Sequence, residues 1–172
     1  MLKGCYCQSM DSETWQDKEC FWEQSRYFYR VTTRMALHSP ITYSEDISRA
    51  MMEATAQGYI IKQDPLILLK SGLFRGEIFL EINPPGDPAA CREDGDNSAC
   101  RKLQGAFYTV ITKAPPFQMG TVVDKLLRDL KKKGRKVRDL YLCLANCPSC
   151  SKERGNQTVI FAHLEPHLEV RG

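Results

Sequence analysis

The sequence predicts an α+β fold: duplicated β-α-β-β units forming a pseudo-twofold antiparallel sheet with two helices and a central ligand cleft. Three observations predict it. The order strand, helix, strand, strand occurs twice, over residues 26–85 and 105–166. Each helical segment runs into a glycine, Gly58 in the first unit and Gly134 in the second. Between the units, residues 86–104 (GDPAACREDGDNSACRKLQ) are polar and rich in Gly, Asp and Pro, which reads as a linker. Residues 1–25 read as an N-terminal extension, with a short helix around Ser12 to Glu23, and residues 26–172 read as the domain proper.

In the first unit, Tyr27, Tyr29, Val31 and Thr33 alternate with Phe28, Arg30 and Thr32. Aromatic and β-branched residues at period two predict a strand. Pro40 breaks it. Thr42 and Glu45 then have the spacing of a capping box, in which a hydroxyl and a carboxylate satisfy orphan amides at a helix start. Tyr43, Ile47, Ala50, Met51 and Ala54 recur at helical spacing, and Gly58 sits where a left-handed cap is expected. PLILL from Pro65 and EIFLEI from Glu77 predict a hairpin turning at LKSGLFRG. NPPGDP ends the sheet, because proline cannot donate to the ladder.

The second unit repeats the pattern. AFYTVITK is a strand and PPFQMG a turn. Met119, Val122, Val123, Leu126, Leu127 and Leu130 make an amphipathic helix. Lys131, Lys132 and Lys133 suit the negative end of its dipole. LYLCLA, the turn CPSCSKERGNQ and TVIFAHL complete the unit.

Composition narrows the function classes. At 172 residues, with 42% hydrophobic and 26% charged residues, the chain fits one globular domain or two fused lobes. A net charge of +3 does not argue for nucleic acid, and the basic run RDLKKKGRKVR lacks interleaved aromatics. No apolar run approaches the ~20 residues that span a bilayer, and the polar N-terminus lacks a signal-peptide core. The expected location is cytoplasmic, with a small-molecule ligand as partner and neither nucleic acid nor membrane; nothing assigns an oligomeric state. In a reducing compartment the eight cysteines read as thiols or metal ligands.

With these elements placed, the chain resembles the gyrase-inhibitor-like small-molecule-binding domain family over about Arg26 to Glu165. The matching features are Gly105 with Phe107 and Tyr108, the helix ending at Gly134, Leu140-Tyr141-Leu142, Asn146 with Pro148, Thr158-Val159-Ile160, and GEIFLEINPP. The resemblance implies a tandem β-α-β-β fold that binds a small organic ligand, aromatic or amphipathic and with lipophilic cations among the candidates, between its repeats. It places Glu81 at the family's inward-facing carboxylate, and Val159 where the second carboxylate would stand. No helix-turn-helix precedes the domain, so the expectation is a stand-alone sensor or sequestering protein.

The candidate ligand-binding residues are Glu81, Tyr141, Tyr108 and Tyr29. Glu81 interrupts an otherwise apolar strand; it either faces a cleft or alternates onto a wet face. Tyrosines line ligand clefts and pack sheet cores alike. Trp22 is placed to close over the cleft. Some members of the family hydrolyse ring-strained compounds, so a hydrolase with Glu81 as general base is the alternative. A second alternative is a zinc-stabilised or redox protein. Cys147 and Cys150 form a C-P-x-C half-site for zinc, completed by Cys5, Cys7 and Cys20 or by Cys91 and Cys100. Cys143, Cys147 and Cys150 also have the CxxxCxxC spacing of an iron–sulfur ligand set. No cofactor is required, and zinc is the candidate metal.

Overall fold

A computed structural model describes residues 7, 12–93, 98–145, 150, 152 and 155–166. The elements are α1 (Ser12–Trp15), β1 (Lys18–Ala36), β2 (Ser39–Pro40), α2 (Tyr43–Ala56), β3 (Ile67–Lys70), β4 (Arg75–Ile82), β5 (Cys100–Thr112), α3 (Met119–Lys132), β6 (Val137–Leu144) and β7 (Thr158–Leu164). The α+β class and the duplicated strand-helix-strand-strand order are as expected. Gly58 and Gly134 follow α2 and α3 with positive φ values of 84° and 71°, the conformation in which glycine closes a helix end.

The sheet order is β2-β1-β4-β3-β6-β7-β5, and β5 returns to pair with β1. Six antiparallel strands therefore close into a barrel, with the two-residue β2 attached to β1. Closure leaves two apolar layers. Inside, Phe28, Leu68, Phe79, Phe107, Tyr141, Val159 and Phe161 fill the barrel. Outside, Tyr29, Leu69, Ile78, Leu80, Leu142 and Ile160 pack under α2 and α3 through Ile47, Ala50, Leu126 and Leu130. Phe28 and Tyr29 are neighbours yet belong to opposite layers, as period-two geometry requires.

The two halves meet where Leu69 of β3 faces Leu142 of β6. Leu69 also faces Ile78, and Leu142 faces Ile160, so these residues correspond across the pseudo-twofold. Following the register outward, Leu80 corresponds to Ala162, Tyr29 to Tyr108 and Glu81 to His163. The counterpart of Glu81 is thus His163. Val159, expected at the second carboxylate position, corresponds instead to Glu77; strand pairing sets the match, and motif order alone had misplaced it.

Three further expectations are corrected. The helix expected around Ser12 to Glu23 is four residues long. Asp17 turns the chain at φ 49°, and Lys18 to Trp22 pair with Thr109 to Gly105, so β1 runs through the boundary drawn at residue 25. The linker ends early: β5 begins at Cys100, because residues 100–103 pair with Tyr29 to Arg26. Cys91 and Cys100 are joined as a disulfide rather than standing as thiols or metal ligands.

The Thr42–Glu45 capping box also does not form. The Thr42 hydroxyl donates to Asp46 Oδ2 at 2.7 Å, the Thr33 hydroxyl donates to the same oxygen at 2.6 Å, and Arg49 reaches Oδ1 at 2.6 Å. Because Thr33 lies on β1, the carboxylate ties helix to barrel. Burial pushes the Asp46 carboxyl up, but hydrogen bonds from Arg49, Thr33 and Thr42 outweigh it and hold it below its ordinary 3.8.

A carboxyl lowered in the folded state stabilises above its unfolded value and loses that contribution as pH falls. Acid denaturation followed by circular dichroism should therefore show native stability dropping below about pH 4, less steeply in Asp46→Asn. The Cys91–Cys100 bridge closes a short loop, nine positions apart in sequence. Loop-closure entropy predicts that Cys91→Ser loses about 2–3 kcal/mol by urea denaturation while remaining folded.

Candidate functional site

Antiparallel pairing of β4 with β3, β3 with β6 and β6 with β7 leaves β4 and β7 running in opposite directions. Glu81 and His163, each near the end of its strand, therefore sit at opposite ends of the barrel.

At the Glu81 end, β1 leaves its ladder with β5 between Trp22 and Arg26. Such irregularities bend a strand and redirect its side chains. Here the bend opens a cavity of about 370 Å³ lined by Trp22 and residues 24–27 of β1, by Lys62, and by Glu81 to Pro84. Residues 60–66 run along the end of β4: Lys62 N donates to the Glu81 carbonyl, Glu81 N to the Leu66 carbonyl, and Asn83 N to the Ile60 carbonyl. This strap holds Lys62 over the carboxylate.

Glu81 is 2% exposed. Its Oε1 takes Arg26 Nε at 2.9 Å and Lys62 Nζ at 3.0 Å, and its Oε2 accepts the Leu66 N–H at 2.9 Å. The carboxylate can be buried because three donors replace its water. An ionised carboxylate has about four acceptor positions, so one remains for a water or a ligand. Two cations against one anion give the cluster a formal charge of +1. The Arg26 guanidinium also lies 4.7 Å above the Trp22 ring, a partly buried cation–π contact. Trp22 packs in turn on Phe107 at 4.1 Å with the rings tilted by 34°, and Phe107 stacks on His163 at 4.4 Å with the rings nearly parallel. A chain of ring contacts thus links the cavity to the buried histidine.

The structure separates the four residues read as one cleft. Glu81 lines the cavity. Tyr29 is buried beneath α2, where Gln57 donates to its hydroxyl at 2.7 Å; burial and the neighbouring Glu53 push the phenol up. Tyr141 is inside the barrel, edge-on to Phe79 at 5.4 Å, and burial pushes its phenol far up. Tyr108 is half-buried beside α3 under Lys133. Arg26 and Lys62 were missed, because neither belongs to a motif; their signal is the register that puts Phe28 opposite Glu81 two places from Arg26.

The thiols divide similarly. Cys143 is buried in the barrel layer, and burial pushes it up to about 12 despite a backbone hydrogen bond, which leaves an inert thiol. Burial also raises Cys20. Cys150 is buried in the outer layer, against which Cys7 also packs. Cys147 lies outside the described residues, as does Cys5. Among the described residues, no group of three or more His, Cys, Asp or Glu can hold a metal ion.

His163 Nε2 lies 2.9 Å from the Gln104 carbonyl. A carbonyl only accepts, so the neutral ring carries its proton on Nε2. Burial dominates and lowers the histidine below 6.5, partly offset by that hydrogen bond.

A family model described as bacterial hydrolase matches residues 2–164. The crystal structure of the EcmrR C-terminal domain superposes with a TM-score of 0.57 at 14% identity, covering 86% of this chain and 94% of that one. A hydrolase from Listeria innocua superposes with a TM-score of 0.54 at 11% identity, covering 87% and 92%. At these identities the likeness is one of fold. No curated protein matches the sequence.

A histidine lowered by burial favours the neutral form, so protonation costs stability as pH falls through 6.5. His163 should titrate below 6.5 by NMR. Wild-type stability should decline as pH falls through about 6.5, and His163→Phe should flatten that decline.

Proposed function

This chain belongs to the bacterial hydrolase family, and on that premise we propose that it hydrolyses a small organic electrophile bound in the Glu81 cavity. The observation that carries the reading is the convergence of a buried carboxylate, two cations and a tryptophan on one opening of about 370 Å³. That volume suits a small ligand. The open acceptor position of Glu81 orients a water and takes its proton as the water oxygen bonds to an electrophilic carbon. The electron pair displaced onto the substrate's oxygen meets Arg26 and Lys62, which supply positive charge where negative charge develops. The +1 cluster favours a substrate carrying a carbonyl, a strained ether or an anionic group over a lipophilic cation. The resemblance to gyrase-inhibitor-like domains supports the same end use of the fold, a small molecule held by the barrel.

A second reading, binding without turnover, is favoured by the three donors already on Glu81, which occupy most of its acceptor positions. Activated esters and epoxides, assayed by product release and by thermal shift, separate the two. Hydrolysis predicts turnover that falls about 100-fold in Glu81→Gln. Stabilisation by the same compounds, with no turnover in the wild type, would establish the binding reading instead.

A further inference from the structure

The pseudo-twofold exposes a difference between the halves that the Glu81 site does not use. Tyr29 and Tyr108 occupy corresponding positions on β1 and β5. Each is approached from the end of its helix, Tyr29 by Gln57 at 2.7 Å and Tyr108 by Lys133 at 3.4 Å. In the first half the space is closed: Tyr29 is 2% exposed and packs against Tyr59 at 5.7 Å between ring centres. In the second half the space is open, a cavity of about 700 Å³ between β5 and α3. One contributor is the residue facing each tyrosine, Leu80 in the first half and only Ala162 in the second.

The walls have a definite chemistry. Val110, Val122 and Leu126 give an apolar floor, and Tyr108 an aromatic side. Lys125, Lys132 and Lys133 stand at the rim against Asp17 and Asp129, a formal charge of +1. Lys133 Nζ is 5.0 Å from the centre of the Tyr108 ring. Among the described residues, neither Lys125 nor Lys132 enters an ion pair. A rim with one excess positive charge over an apolar floor complements a molecule with a flat or branched apolar body and one anionic group.

We propose that the groove between β5 and α3 is a second ligand site, distinct from the Glu81 cavity, and that it takes a small amphipathic organic anion such as an aryl carboxylate or sulfonate. The apolar body lies on Val122 and Leu126 against Tyr108, and the anion reaches Lys125 and Lys132.

Calorimetry with two probes of one shape, 2-naphthalenesulfonate and 2-naphthylmethylammonium, tests this on the whole chain. The sulfonate should bind about fivefold more tightly than the ammonium, a preference that Lys125→Glu with Lys132→Glu should abolish. Val122→Trp should weaken both probes by filling the groove, and Glu81→Gln should leave sulfonate binding unchanged. Both lysines are exposed on α3, so the lysine variant tests the site even if Val122→Trp is unstable. Equal affinity for the two probes, or sulfonate binding that survives the lysine changes, would overturn the proposal. Loss of sulfonate binding in Glu81→Gln would also overturn it, by placing the ligand in the other cavity.

Discussion

The fold rests on the double pairing of β1. This one strand, Lys18–Ala36, pairs with β4 along one edge and β5 along the other. Without it the six strands would form an open sheet with two exposed edges, which invite further strand pairing. With it, the sheet closes and its two faces become an inside and an outside. The aromatic residues at alternate positions are then enclosed, and the helices cover the remaining apolar layer. The same strand must bend to serve both neighbours, and the bend between Trp22 and Arg26 opens the Glu81 cavity. Closure of the barrel and placement of the site are one structural event.

Electrostatics follow from that closure. The barrel interior holds Phe28, Phe79, Phe107 and Phe161, leaving no room for an uncompensated charge. Glu81, at the margin of this layer, is kept by Arg26, Lys62 and the Leu66 amide. Breaking such a group by removing one partner costs more than the intact group contributes, since a buried charge is left without its hydrogen bonds. Because Lys62 is nearly half exposed, solvent screens its share, and Arg26 is the stronger partner. The pairing therefore holds the strap at residues 60–66, the end of β4 and the bend of β1 in one geometry.

Much of the fold was legible because periodicity is local. The alternation from Tyr27 to Thr33, the helical spacing from Met119 to Leu130, and the two helix-ending glycines each follow from a few residues. What was not legible depended on partners far along the chain. Lys18 to Trp22 show no period-two alternation, and only the free edge of β5 makes them a strand. The Thr42 hydroxyl could accept a helix N–H, as the capping box requires, or donate to Asp46; it donates to the Asp46 oxygen that also takes Thr33, brought in by β1. Glu81 stood out as a carboxylate among apolar residues. Its partners did not, because Arg26 and Lys62 belong to no motif and meet only through register and the strap. The counterpart of Glu81 was misread as Val159 for the same reason; a four-residue offset along β7 is invisible until the Leu69–Leu142 crossing is known. The repeat in the scaffold is real, and its chemistry has diverged, with a carboxylate at one end of the barrel and a neutral histidine at the other.

The central claim is that Glu81 and Arg26 act as one unit at the bend of β1. A double-mutant cycle on kcat/KM, using Glu81→Gln, Arg26→Gln and the double variant, tests it most directly, with folding checked by circular dichroism. A coupled unit predicts that the double variant is no slower than the slower single variant. Losses that multiply across the two substitutions would mean that the residues act independently, and would contradict the account.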